Sequence, residues 1–147
     1  INVSSDAHRM GKINFDDLEG KQRYSAWLAY GQSKLANIMF TYELARRLGD
    51  APVVTNTLHP GVVATRFAAR MGKWGEFGRK AMNLFSISPE EGAQTSVYLA
   101  SDPQMAYVSG LYFEKCQPKS SNQASYQQED AARLWEVSEA YADRFAA

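Results

Sequence analysis

A long helix-patterned stretch between two short strand-patterned runs constrains this fold more than any other feature. From about Trp27 to Leu48, Leu28, Leu35, Ile38, Met39, Tyr42 and Leu48 recur at helical spacing, and Gly49 supplies a C-terminal stop. Ahead of it, Ile1-Asn2-Val3-Ser4-Ser5 reads as the end of a buried strand opening into a serine-containing loop. Behind it, the run Pro52 to Leu58 alternates and is rich in β-branched residues, which predicts a strand. A second helix is strongly punctuated: Ser88 is its N-cap, Pro89 takes the first helical position and Glu91 completes a capping box. It is predicted to run to Ala100 or Ser101 and to stop before Pro103. Gly110 to Glu114 reads as a short final strand, and a last helix is predicted from about Glu129 to Phe145. Residues 6–26 read as an extended surface loop, and Gln117 to Gln128 as a polar tract. Strands and helices in alternation predict an α/β chain, a parallel sheet with helices on its faces.

Composition narrows the function classes. A length of 147 residues is one domain, and a hydrophobic share of 45% suits an ordinary globular core. Sixteen basic residues balance sixteen acidic ones, so the basic excess of a nucleic-acid binder is missing. Lys73, Arg79 and Lys80 are read as a solvated face. The single cysteine, Cys116, excludes an intrachain disulfide and fits a reducing compartment, and the chain is expected in the cytoplasm. His8, His59 and Cys116 have no metal-site spacing, so no metal is expected. No apolar run reaches the roughly 18–20 residues that span a bilayer, and no basic-then-apolar signal segment opens the chain, which reads as soluble. The ten glycines show no G-x-G-x-x-G pattern.

The chemistry sits in Tyr30-Gly31-Gln32-Ser33-Lys34. Residues four apart stand one turn apart on the same helix face. An ammonium held near a phenol stabilises the phenolate and lowers the phenol's pKa, which suits it to pass a proton to or from a substrate oxygen.

Four motifs in order turn this pair into a resemblance. They are Ser4-Ser5-x-Ala7-His8, Tyr30-x-x-Ser33-Lys34-Leu35-Ala36-Asn37, His59-Pro60-Gly61-Val62-Val63 and the late Arg133-Leu134-Trp135-Glu136-Val137-Ser138. Over nearly its whole length the chain resembles the C-terminal half of a short-chain dehydrogenase/reductase, within the retinol-dehydrogenase-like branch. The fold this implies is the C-terminal half of a Rossmann-type doubly wound parallel sheet, residues 1–147 being the catalytic and substrate-binding half. The half with the Gly-rich dinucleotide turn is absent, so a fragment is expected, inactive on its own.

The resemblance also implies roles. Tyr30 is the general acid/base, Lys34 tunes it and bonds the nicotinamide ribose, and Ser5 polarises the substrate oxygen. Ser5 is preferred over Ser4 because the family's serine is the later of such a pair. Pro60, Gly61, Val63 and Thr65 form the cofactor loop, with backbone groups at Val63 on the nicotinamide carboxamide. The reaction implied is NAD(P)-dependent interconversion of an alcohol and a carbonyl, with NADP(H) favoured over NAD(H). Ser33 is expected to pack or bond to backbone, Asn37 to be a helix-surface or packing residue, and His59 to be structural.

Residues 66–87 look like the family's substrate lid. Phe67, Met71, Trp74, Phe77, Met82, Leu84 and Phe85 either cover a small apolar carbonyl or alcohol substrate or pack on the core. The Tyr30 helix is a candidate homodimer interface, with Phe40 and Tyr42 serving either that or the core. Leu134, Trp135, Val137, Tyr141 and Phe145 are expected to dock a last helix within the chain. Two rivals stand beside this reading. A nucleotide-sugar epimerase or dehydratase shares Tyr-x-x-x-Lys, but Ser33 and the Pro60-Gly61 loop argue against it. A non-enzymatic half-domain would act only through helix-mediated association.

Overall fold

A computed structural model describes residues 1–62 and 87–144. Strands β1 (Asn2–Val3), β2 (Thr57–His59), β3 (Tyr112–Glu114) and β4 (Gln117–Lys119) alternate with helices α1 (Ala26–Leu48), α2 (Pro89–Ser101) and α3 (Gln128–Asp143). Short 3₁₀ turns occupy Asp6–Met10, Pro103–Tyr107 and Gln123–Tyr126. The sheet order is β1-β2-β3-β4, with the first three strands parallel and β4 antiparallel at the edge.

Register decides which helix covers which face. Asn2, Thr57 and Tyr112 lie in one row, and Val3, Leu58 and Phe113 in the next. Successive side chains point to opposite faces. Leu58 and Phe113 pack with Leu99 of α2 and with Met105. On the other face, Asn2 Nδ2 donates to Thr41 Oγ1 of α1 at 3.0 Å. Helices on both faces of a parallel sheet are the doubly wound arrangement expected from the sequence. A second cluster, Leu35, Met39 and Ala131, joins α1 to α3. Full burial of side chains such as Leu35, Ile38, Leu58 and Phe113 stabilises the fold by about 1.5–3 kcal/mol each.

Several boundaries differ from the sequence reading. The Pro52–Leu58 strand is laddered only from Thr57, because Asn56 spends its side-chain amide on the Val108 carbonyl (2.6 Å) and accepts from Leu111 N–H (3.0 Å). The loop at 6–26 opens with a 3₁₀ turn that Ser5 caps. The polar tract at 117–128 contains β4 and another 3₁₀ turn. Leu28 is 63% exposed rather than core, since the buried stripe of α1 begins at Gly31. The Ser88 capping box is present as expected, with both of its hydrogen bonds.

The last helix docks on α1. Trp135 stacks on Phe40 with centroids 5.3 Å apart, and the Arg47 guanidinium lies 4.5 Å from its ring. Glu43, buried on α1, is held by Arg46 and Arg47 at 2.6 Å, and these hydrogen bonds keep its carboxyl below its ordinary pKa. Among the described residues no helix is long and apolar enough to cross a membrane.

Candidate active site

Parallel strands bring their C-terminal ends to one edge of the sheet, where open α/β sheets bind ligands. The backbone N–H of Ser4 donates to the Leu58 carbonyl at 2.7 Å, so the Ser4-Ser5 loop lies beside the His59-Pro60-Gly61 turn. The two neighbouring serines divide the work. Ser4 is buried, and its hydroxyl donates to the Lys34 carbonyl at 2.7 Å, fixing the end of β1 to α1. Ser5 is half-buried and accepts at Oγ from the Ala7 N–H at 3.3 Å. A hydroxyl accepts twice and donates once, so this bond leaves the proton of Ser5 for another partner.

Tyr30 and Lys34 stand one turn apart on α1, with Lys34 Nζ 5.6 Å from the centre of the Tyr30 ring. Lys34 Nζ also donates to the Val3 carbonyl at 3.2 Å, and Asn37 Nδ2 donates to the same oxygen at 3.1 Å. Both side chains thus tie α1 to the end of β1. Ser33 bonds the Tyr30 carbonyl at 2.8 Å, the backbone role expected of it.

The Asp6–Met10 turn crosses α1 at Gly31, next to Tyr30. A Cβ on Gly31 would meet the Ala7 carbonyl oxygen at 3.1 Å and Gly11 backbone at 3.3 Å. From the other side, Asn122 Nδ2 donates to the carbonyls of Arg9 (3.0 Å) and His8 (3.1 Å). The sequence reading passed over Asn122. Its only local signal is its place as N-cap of the Gln123–Tyr126 turn, where Oδ1 accepts from Ala124 N–H.

Pro60 and Gly61 follow β2 directly. Gly61 has φ of 90°, a conformation that demands glycine, and a Cβ there would also displace the Ile87 side-chain tip, 2.5 Å away at Cδ1. Val63, Thr65 and the lid segment through residue 86 lie outside the described residues. His59 is buried, and that burial lowers its pKa. Phe40 and Tyr42 are engaged within the chain: Phe40 on Trp135, and Tyr42 on Tyr126 and through its hydroxyl on Ser121 at 2.9 Å.

Comparison with known proteins gives consistent matches. The family described as Enoyl-(Acyl carrier protein) reductase matches residues 11–113. Human (Homo sapiens) Retinol dehydrogenase 14 is 42% identical over 144 residues, covering 93% of this chain and 42% of that protein. Human Retinol dehydrogenase 11 is 41% identical over 141 residues, covering 94% and 43%. A crystal structure of an uncharacterized protein from Mycobacterium paratuberculosis superposes with a TM-score of 0.68 at 33% identity, over 93% of this chain and 47% of that one. The chain spans less than half the length of the curated relatives it matches.

Proposed function

The chain belongs to the short-chain dehydrogenase/reductase family and is retinol-dehydrogenase-like in sequence; from that premise we propose that the protein is an NAD(P)-dependent oxidoreductase interconverting an apolar alcohol and its carbonyl. The observation that carries this reading is the Tyr30–Lys34 pair on α1, with Ser5 on the loop that crosses the helix beside it.

Residue types and positions support a division of labour. The Ser5 hydroxyl, its lone pair engaged by Ala7, donates its proton to the substrate oxygen. In the reducing direction Tyr30 gives its phenolic proton to that oxygen as charge grows there, and takes it back in the oxidising direction. The ammonium of Lys34 offsets the phenolate left behind. When bound, the nicotinamide supplies or accepts the hydride. The residues present fit its nicotinamide end: Lys34 for the ribose, and a turn at Pro60-Gly61 whose φ of 90° at Gly61 strains any residue but glycine. The retinol-dehydrogenase resemblance favours NADP(H).

An apolar substrate is supported by the first turn of α1 and its approach. Tyr24, Trp27 and Leu28 are 72%, 53% and 63% exposed, and Trp27 shares the helix face of Tyr30. The relatives are named for retinol, itself an apolar alcohol. In the full-length protein, Tyr30→Phe is expected to lower kcat by about a hundredfold or more with the fold intact. Activity retained within about tenfold would overturn the acid/base assignment.

A further inference from the structure

Behind Ser5 lies a wholly buried imidazole that the chemistry above does not use. His8 Nδ1 stands 2.7 Å from the Ser5 carbonyl oxygen, and the His8 backbone N–H donates to the same oxygen at 3.0 Å. A carbonyl only accepts, so this contact requires the proton on Nδ1. The ring packs on buried Tyr112, centroids 4.9 Å apart, while Asn122 holds the His8 carbonyl from outside. Among the described residues Nε2 has no hydrogen-bond partner. Burial lowers the pKa of His8 below 6.5, which favours the neutral ring. Its one side-chain hydrogen bond therefore goes to the backbone of Ser5.

We infer that His8 is a positioning residue for the proposed reaction: by donating from Nδ1 to the Ser5 carbonyl it fixes the backbone at Ser5 and so aims the serine hydroxyl. This rests on the reading that Ser5 holds the substrate oxygen. The Ser5 backbone is extended, at φ −157° and ψ 156°, and the Ala7 N–H already constrains Oγ. Without the Nδ1 bond the Ser5 carbonyl is held by the His8 backbone N–H alone. The looser peptide lets the hydroxyl drift off its target, and misplacement by about 1 Å costs up to about a hundredfold in rate.

Two variants of the full-length protein separate positioning from packing. His8→Asn offers an amide N–H close to where Nδ1 stands, whereas His8→Leu keeps apolar bulk without a donor. With NADPH and a long-chain apolar aldehyde, His8→Leu is expected to lose about tenfold or more in kcat, with the KM for NADPH within about twofold of wild type. His8→Asn should stay within about threefold of wild-type kcat. Equal losses in both variants, or a folded His8→Leu with unimpaired kcat, would overturn the inference. Tyr30→Phe assayed alongside keeps the two readings apart: its survival sinks the proposed chemistry, whereas an inactive Tyr30→Phe beside a fully active His8→Leu sinks only the role of His8. Nitrogen-15 NMR of the wild-type ring gives a reading free of activity and of variant folding. A protonated Nδ1 and bare Nε2 are expected, and a protonated Nε2 with bare Nδ1 would overturn the inference.

Discussion

Gly11 and Gly31 meet backbone to backbone, so closely that a Cβ on Gly11 would stand 2.3 Å from the Gly31 carbonyl oxygen. This contact brings the Ser5 loop against the Tyr30 helix. No rotamer relieves a clash between a Cβ and a carbonyl, so either the turn or the helix must shift. Gly11→Ala is therefore expected to cost about 1–3 kcal/mol in urea unfolding. A variant within about 0.5 kcal/mol of wild type would show that the crossing is looser than described.

Asn122 makes the same loop depend on a distant part of the chain. Its amide donates to the His8 and Arg9 carbonyls while its Oδ1 caps the next turn. Asn122→Ala is expected to lose about 1–2 kcal/mol. Hydrogen exchange should quicken at Gly11, whose N–H bonds the His8 carbonyl, before it quickens in α1. Unchanged exchange at Gly11 would contradict the clamp.

Trp135 tests the docking of α3. It stacks on Phe40 and receives Arg47 over its ring. Trp135→Ala should destabilise the protein by about 2–4 kcal/mol, measured by thermal or urea unfolding. A loss below about 1 kcal/mol would mean that α3 contributes little to the fold.

Acid should weaken the site before it unfolds the rest. The folded pKa values of His8 and His59 both lie below 6.5, chiefly through burial. At His8 the hydrogen bond to the Ser5 carbonyl opposes this most; Arg9 lowers both, and Asp6 raises both, joined at His59 by Glu114. Between those folded values and 6.5 the unfolded chain binds more protons than the native one. Stability is therefore complete above pH 6.5 and falls as pH drops towards the folded values. Urea midpoints at about pH 7.5 and pH 5.5 should differ, the acidic one lower. Glu43, also lowered, titrates below 4.5 and leaves this window untouched. A flat profile would contradict the burial of these imidazoles.

The elements legible in the sequence were those with local punctuation. The stripe and Gly49 located α1 (Ala26–Leu48), and Ser88, Pro89 and Glu91 located α2 (Pro89–Ser101). Strand β4 was hidden for a physical reason. Its hairpin turns through Lys115 and Cys116, both at positive φ (50° and 58°), where an Asn-Gly pair would have announced the turn. Pro118 within it, tolerated because β4 is an edge strand, also argued against a strand. Tyr30, Lys34 and Ser5 were legible as a family pattern, whereas the structural task of Ser4 emerges only from its bond to the Lys34 carbonyl. The clamps around Ser5 were not legible. Asn122 and His8 act through backbone carbonyls far from them in sequence or hidden by a turn, and such contacts leave no periodic trace.

Hydride transfer is the claim on which the account turns, and isotope labelling follows it directly. The full-length protein is given NADPH fully deuterated at the nicotinamide C4 and a long-chain apolar aldehyde, and the product is read by mass spectrometry. One deuterium on the carbinol carbon is expected with wild type, and no product above background with Tyr30→Phe. Unlabelled alcohol, or none at all, from the wild-type protein would contradict the account.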